Sequence, residues 1–191
     1  MIHNSHDSGD AGCAAIKLRV EGGKQTQNAP GVHNRMSHLQ DCARITPFLW
    51  FDKNAEEAAN FYISVFKNSR RIGELRNPGP APGGAGSILT ITFELDGVRF
   101  VALNGGPDFK FNQSVSFVVR CDSQAEIDYY WERLTEGGGE VACGWLTDKF
   151  GLSWQVTPAN IDELVGNPKG MAAMMTMKKL DIAAMEKAAK E

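Results

Sequence analysis

Histidine, the side chain best suited to metal binding and to proton transfer near neutral pH, is confined to one end of this sequence. The four histidines all precede Arg44, at His3, His6, His33 and His38. A Cys–His nucleophile pair is therefore excluded from the remainder of the chain. The run GLSWQ that begins at Gly151 also lacks the second glycine of a GxSxG nucleophile elbow. Chemistry after Arg44 must consequently use other side chains.

Cysteine and carboxylate spacing supplies no catalytic motif either. The cysteines (Cys13, Cys42, Cys121 and Cys143) form no CxxC pair and no zinc-like spacing. Paired carboxylates such as Glu56 and Glu57 lie where a helix is predicted to begin, and there they stabilise the first helical turn. The remaining candidates are hydroxyl, amide and aromatic side chains, which bind organic molecules through hydrogen bonds and apolar contacts.

The elements that must position such side chains begin directly after Arg44. Strands are predicted at residues 45–51, 70–76, 87–95 and 98–103, with a hairpin turn at Asp96-Gly97. A helix is predicted to start at Asn54, whose side chain and Glu57 form a helix-start pair. Its apolar spacing predicts one buried face, made of Ala58, Phe61, Tyr62, Val65 and Phe66.

A second set of elements repeats this order. Strands are predicted at residues 114–120, 140–143 and 152–157, and a turn at residues 148–151 precedes the last of them. Ser123 and Glu126 form a capping box that starts the intervening helix, and its predicted buried face is made of Ile127, Tyr130, Trp131 and Leu134. The repeated order indicates an internal structural duplication within residues 45–158.

The two ends of the chain differ in character from this central region. Residues 1–44 are polar and bury little, so we expect a mobile extension, with Met36 as an alternative start. Residues 159–191 are predicted to be helical and carry Met171, Met174 and Met175. Methionines at such spacing favour packing against the parent domain or against a twin subunit.

Charge and hydropathy exclude two classes of partner. The formal net charge is −3 and no basic cluster is present, which argues against nucleic acid. No apolar run reaches the roughly 20 residues that a membrane-spanning helix needs. The first residues do not show the charged and apolar regions of a signal peptide. With no cysteine framework, a reduced cytoplasmic protein is the simplest expectation.

Four longer runs carry a family resemblance. They are ITPFLWFDKNAEEAANFYISVFKNS, FVALNGGPDFKFN, IDYYWERL and CGWLTDKFGLSWQVTP. Together they span most of residues 45–180, and they resemble the PhnB-like family of the vicinal oxygen chelate (glyoxalase/bleomycin resistance protein/dihydroxybiphenyl dioxygenase) superfamily, also labelled 3-demethylubiquinone-9 3-methyltransferase domain. The resemblance implies an α+β fold in which paired βαβββ modules form a glyoxalase-like cup, followed here by C-terminal helices. It also implies a homodimer and a divalent metal held in the cup by His, Glu or Gln.

The resemblance carries over to particular positions of this chain. Its metal-ligand places fall on Thr46 and Gln155, and the other cup positions on Asn104 and on Ser114 or Ser116. Phe48, Trp50 and Trp145 would supply apolar walls. Such neutral side chains offer no charge to hold a dication, so the cup is better suited to hydrogen-bonding a small organic molecule. We therefore predict a small-molecule-binding protein without a tightly bound metal; whether it catalyses a reaction stays open.

Two rival functions remain. One is a metal-dependent lyase, isomerase or transferase that uses Gln155 with ligands not aligned above. The other is a dimeric interaction module with a vestigial cup. The methyltransferase label finds no support in the glycines, because a nucleotide-type cofactor loop needs glycines after a strand and before a helix. Here Gly83, Gly84 and Gly86 precede a predicted strand, and residues 137–139 follow a predicted helix.

Overall fold

Two sheets with the same strand order form the framework of this computed structural model, which describes residues 42–79 and 83–191. The predicted mobile extension, residues 1–44, lies outside the described residues except for residues 42–44. Elements of the first module are β1 (Phe48–Phe51), α1 (Ala55–Val65), β2 (Arg70–Arg76), β3 (Ile88–Leu95) and β4 (Val98–Asn104). Those of the second are β5 (Ser116–Cys121), α2 (Gln124–Thr135), β6 (Gly139–Glu140), β7 (Trp145–Thr147) and β8 (Ser153–Pro158).

The strand orders are β1-β4-β3-β2 and β5-β8-β7-β6, so the two modules share one topology. In each, the first strand is parallel to the last and the other pairs are antiparallel. The predicted α+β architecture of paired βαβββ modules is confirmed. C-terminal helices follow, as expected: α3 (Ile161–Val165), α4 (Pro168–Met175) and α5 (Ile182–Lys190). No helix within residues 42–79 and 83–191 combines the length and the apolar character that a membrane span requires.

Helix α1 begins differently from the prediction. Asn54 is the N-cap residue, but its side chain makes no capping hydrogen bond, so that part of the prediction is wrong. Asn104 takes over this role: its Oδ1 accepts from the backbone N–H of Ala55 at 2.9 Å, and its Nδ2 donates to the Ile88 carbonyl at 2.9 Å. The end of β4 thereby fixes the start of α1, which satisfies one of the unpaired N–H groups of the helix.

The residues at the centre of the predicted buried face of α1 are buried, and those at its edge are only half-buried. In α1, Tyr62 and Val65 are buried, while Phe61 and Phe66 are half-buried. In α2, the Ser123 hydroxyl accepts from the Glu126 N–H at 3.3 Å, as a capping box requires. The Glu126 carboxylate, however, accepts from the Asp122 N–H at 2.9 Å rather than from Ser123.

The region around residues 139–147 departs most from the predicted strands. The strand predicted at residues 140–143 shrinks to Gly139–Glu140, because Cys143 and Gly144 turn the chain with φ values of 57° and 82°. A three-residue strand, Trp145–Thr147, was not predicted and pairs with β8. Strand β1 also starts at Phe48 rather than at Ile45, whose side chain is 89% exposed.

A buried carboxylate joins the two modules within one hydrophobic core. Asp148 Oδ2 accepts hydrogen bonds from Tyr62 Oη of α1 and from Trp154 Nε1, both at 2.8 Å. Its Oδ1 accepts from the N–H groups of Phe150 at 2.8 Å and Leu152 at 3.0 Å. Burial raises the pKa of Asp148, and the four hydrogen bonds oppose that rise. From sequence, Asp148 was predicted only as a turn residue.

Candidate functional site

The alternation of side chains gives the second sheet two faces. Trp154 and Val156 of β8 point into the hydrophobic core, so Gln155 and Thr157 point to the opposite face. We call this opposite face the open face. Strand pairing extends it across the sheet: Val118 and Arg120 of β5 and Trp145 of β7 share it with Gln155 and Thr157.

A cleft of about 580 Å³ lies between the open face and the C-terminal helices. Its lining from the sheet includes Arg120, Trp145, Gln155 and Thr157, and its lining from the helices includes Val165 and Met174. This volume falls within the roughly 300–1,000 Å³ of small-molecule sites, and the mixture of apolar walls and few polar groups is typical of them.

Polar groups in the cleft retain unused hydrogen-bonding capacity. Gln155 Nε2 donates to Ser116 Oγ at 2.8 Å, which fixes the orientation of the half-buried amide. Thr157 is 6% exposed, and its Oγ1 has no hydrogen-bond partner within the described parts of the chain. Arg120 is exposed and forms no ion pair with any residue that the structure describes. A ligand in the cleft could therefore use the Arg120 cation and the Gln155 amide, while the Thr157 hydroxyl is enclosed beside them.

Three of the residues predicted for the site come together here, namely Ser116, Trp145 and Gln155. Phe48 and Trp50 instead belong to β1 of the first module. Trp50 Nε1 donates to the Gly106 carbonyl at 2.9 Å, and Trp50 lines a separate cleft of about 420 Å³.

The other predicted site residues have local structural partners. Thr46 Oγ1 donates to the Ala43 carbonyl at 2.7 Å, and Asn104 caps α1 as described above. Ser114 is exposed and donates to the Asn112 side chain at 2.5 Å. Thr46, Asn104 and Ser114 do not line the cleft, which is formed by the second module and the C-terminal helices.

The donor set does not fit a resident divalent metal. Within residues 42–79 and 83–191, no group of three or more His, Cys, Asp or Glu side chains could hold a metal ion. The two ligand places that the resemblance implies are occupied by Thr46, whose hydroxyl bonds a backbone carbonyl, and by Gln155, whose amide bonds Ser116. Neutral oxygens without carboxylate or imidazole partners bind a dication weakly.

The glycine positions do not fit a nucleotide-type cofactor either. Gly83, Gly84 and Gly86 have positive φ and precede β3, and Gly137 follows α2. None of these lies between a strand and the start of a helix, where backbone N–H groups would face a phosphate. The described glycines therefore do not form such a loop.

Sequence reasoning missed Arg120, Thr157 and the contribution of the C-terminal helices. A signal for the first was present, since Ser116, Val118 and Arg120 alternate along one strand and must share a face. The part played by Val165 and Met174 depends on where helices α3 and α4 fold back, which no local pattern encodes.

Comparison with known proteins defines the class. The chain belongs to the family described as 3-demethylubiquinone-9 3-methyltransferase, whose model matches residues 43–157. This confirms the predicted membership of the PhnB-like family of the vicinal oxygen chelate superfamily. The family match ends at residue 157, before the C-terminal helices.

Two solved structures illustrate the relationship. A PhnB protein from Bacillus cereus is 35% identical, with 61% of this chain covering 100% of that chain at a TM-score of 0.56. Protein PA1353 from Pseudomonas aeruginosa is 23% identical, with coverage of 61% and 97% and a TM-score of 0.51, and it supports the fold alone. No curated protein matches the chain at a significant level.

Proposed function

We propose that this PhnB-like protein binds a small organic molecule on the open face of its second sheet. The observation that carries the proposal is the oriented amide of Gln155, held by Ser116 beside Trp145 in a cleft of about 580 Å³. An amide fixed by a neighbour recognises a ligand with little loss of side-chain freedom on binding. The indole of Trp145 supplies a flat apolar surface next to it.

The same donor set supports binding without a tightly held metal. Gln155 and Ser116 offer hydrogen bonds suited to carbonyl, hydroxyl or amide groups of an organic ligand. They do not supply the charge that a dication requires. Dialysed protein is therefore expected to contain far less than one equivalent of zinc, nickel or manganese, measured by elemental analysis on a chain that starts at Met36 and so lacks three of the four histidines.

We further infer that the protein works as a homodimer. Large apolar side chains remain exposed on the sheets, including Phe48 at 51%, Leu75 at 41% and Val118 at 55%. A second copy would cover them and extend the ligand site across the interface. Light scattering at low micromolar concentration is expected to give twice the single-chain mass of 20.9 kDa, with a melting temperature that rises with concentration. A monomer with a concentration-independent melt would contradict the dimer.

The cytoplasm is the compartment we propose for this function. Cys121 is a buried thiol and Cys143 a half-buried one, and neither is in a disulfide. Burial raises the pKa of Cys121 to about 12, so that thiol is unreactive. Thiols kept in this form are typical of a reducing compartment.

The ligand site is tested by extraction. Protein purified under native conditions is denatured, and the released small molecules are identified by mass spectrometry. Wild type is expected to release an organic molecule that Gln155→Ala and Ser116→Ala lose, while Ser114→Ala retains it. Ser114 is the matched control because it is an exposed serine two residues from Ser116 and bonds only to Asn112 among the described residues. Equal retention by Gln155→Ala and Ser114→Ala would sink the proposal.

A further inference from the structure

The C-terminal helical segment, residues 159–191, lies beyond the family match and yet forms part of the cleft. We propose that this segment is a fixed wall of the ligand site, and that the completed cleft selects a small organic monocarboxylate with an apolar body. The inference rests on the proposed function, since it names the ligand class of the same site.

The wall begins with the helices that follow β8. Ile161 and Val165 of α3 and Met174 of α4 line the cleft opposite Trp145 and Gln155 of the sheet. These helix residues are half-buried, so part of their apolar surface still faces the cleft. An aromatic or aliphatic ligand body would lie between them and the indole of Trp145.

Contacts with the second module hold the wall in place. The N–H groups of Cys143 and Gly144 donate to the carbonyls of Met177 and Lys178, both at 2.8 Å. The Gln124 side chain donates to the Leu180 carbonyl at 3.1 Å and accepts from the Ile182 N–H at 3.0 Å. Such backbone pairing describes a docked segment rather than a loosely attached tail.

The C-terminal segment approaches the second sheet so closely that position 144 requires glycine. Gly144 has φ of 82°, and a Cβ there would lie 2.9 Å from the Val156 carbonyl oxygen and 3.1 Å from Leu180 Cδ1. Leu180 itself is fully buried. Any other residue at position 144 would push the C-terminal segment away from the sheet.

The charge in the cleft selects the ligand class. Arg120 and Thr157 are register partners on β5 and β8, so their side chains emerge side by side on the open face. The guanidinium has no ion-pair partner in the described regions, and the buried Thr157 hydroxyl has no hydrogen-bond partner there. A ligand carboxylate would pair with this guanidinium through charge-assisted hydrogen bonds, and it would reach the enclosed Thr157 hydroxyl only if that side chain turned toward the cleft.

One carboxylate of the protein limits this choice. Asp162 at the start of α3 also lines the cleft, and it forms no ion pair with Arg120. Its negative charge disfavours a second anionic group on the ligand through like-charge repulsion. The cleft is therefore expected to prefer a monocarboxylate over a dicarboxylate.

Calorimetric titration of the full-length protein with 1-naphthoate and with the neutral 1-naphthamide tests the inference. Wild type is expected to bind the carboxylate at least about tenfold more tightly, the scale of one charge-assisted hydrogen bond. Arg120→Gln should abolish that preference, because it weakens binding of the carboxylate far more than binding of the amide. Met174→Arg, or Val165→Arg if the first variant fails to fold, should weaken both probes. Met171→Arg is the matched control, because Met171 is an exposed methionine of the same helix outside the cleft.

The possible failures are distinguishable. If Gln155→Ala weakens both probes but Met174→Arg and Arg120→Gln change nothing, the proposed function stands and the wall and carboxylate selection are overturned. If both probes bind and Gln155→Ala has no effect, the site itself is wrong and both proposals fall. Binding of neither probe to wild type overturns the ligand class, and the extraction experiment then decides the proposed function separately.

Discussion

The two modules share a strand order but use their exposed sheet residues differently. In the first, Trp50 is fixed by the Gly106 carbonyl and by Phe109, whose ring centroid lies 5.0 Å away. In the second, Gln155 and Trp145 line an open cleft. The duplicated topology therefore supplies two equivalent scaffolds, and local contacts decide which of them keeps polar groups available for a ligand.

The loop after β4 accounts for part of this difference. A Cβ at Gly105 would lie 2.4 Å from the Trp50 ring, so the backbone rests directly on the indole. The side chain of Asn104, at the end of the same strand, is already hydrogen-bonded to the first N–H of α1 and to the Ile88 carbonyl. In the second module, the chain after β8 instead turns into helices that leave a cleft. The first module thus fixes Trp50 in the lining of its own cleft of about 420 Å³, whereas the second leaves Gln155 and Trp145 beside a cleft of about 580 Å³.

The largest expected effect comes from removing the carboxylate of Asp148, which joins the two modules. Asp148→Ala would leave Tyr62 Oη and Trp154 Nε1 as buried donors without their acceptor, together with two backbone N–H groups. We expect the free energy of unfolding to fall by at least about 3 kcal/mol in a urea titration. Asp148→Asn, which keeps one acceptor oxygen, should lose less.

Asp108→Ala is the control for this change, because Asp108 is exposed and makes no hydrogen bond or ion pair in the described parts of the chain. Its effect should stay within about 0.5 kcal/mol. If Asp148→Ala proved as mild as Asp108→Ala, the buried carboxylate would not be what joins the modules.

A second, smaller effect concerns the wall that only the second module has. Gly144→Ala and Gly151→Ala both place a side chain at positive φ, 82° and 86° respectively, which costs roughly 1–2 kcal/mol. Only at Gly144 does the new Cβ also meet Val156 and Leu180; at Gly151 nothing lies within 4 Å. Gly144→Ala should therefore be the more destabilising change, and it should increase hydrogen exchange selectively in residues 177–185. Equal hydrogen exchange in the two variants would show that a Cβ at position 144 does not loosen the C-terminal segment.

These comparisons also show which features local sequence could predict. The Asp96-Gly97 hairpin and the start of α2 at Ser123 each depend on residues a few positions apart, and both are present. The acceptor that caps α1 comes from Asn104, 49 positions from its partner Ala55, and periodicity carries no signal for it. Strand β7 is only three residues long, too short for alternation to be recognised.

The candidate site also combines features that the sequence could predict with features that it could not. Ser116, Trp145 and Gln155 were proposed from the family resemblance. In the structure Trp145 and Gln155 line one cleft, and Ser116 accepts the hydrogen bond that orients Gln155. The pairing of Asp148 with Tyr62 joins residues 86 positions apart, and the contribution of Met174 depends on the fold of a segment outside the family match. Such features follow from tertiary packing, so a pattern of neighbouring residues cannot encode them.

The smallest expected effect is a pH dependence of the wall's attachment. The Asp128 carboxylate accepts a hydrogen bond from Lys179 Nζ at 2.5 Å, and this bond, together with the one from Gln124, lowers the pKa of Asp128. The Trp131 indole and then Lys178 lower the pKa of Glu140 in the same way. A carboxyl group whose pKa is lower in the folded protein stabilises it above the ordinary pKa, and this contribution disappears as the pH falls through the folded value.

We therefore expect Asp128→Asn to be slightly less stable than wild type at pH 7. This deficit should shrink once the pH falls below the ordinary carboxyl pKa of about 4, and it should vanish below the lowered pKa of the folded protein. Melting temperatures measured across this range give the comparison. Glu132→Gln is the control, because Glu132 is exposed on the same helix and forms no ion pair with a described residue. Its melting temperature should match that of wild type at pH 7. A deficit of Asp128→Asn that persisted or grew in acid would show that Lys179 does not help hold the C-terminal segment against α2, and would leave the backbone bonds of residues 177–178 as its main attachment.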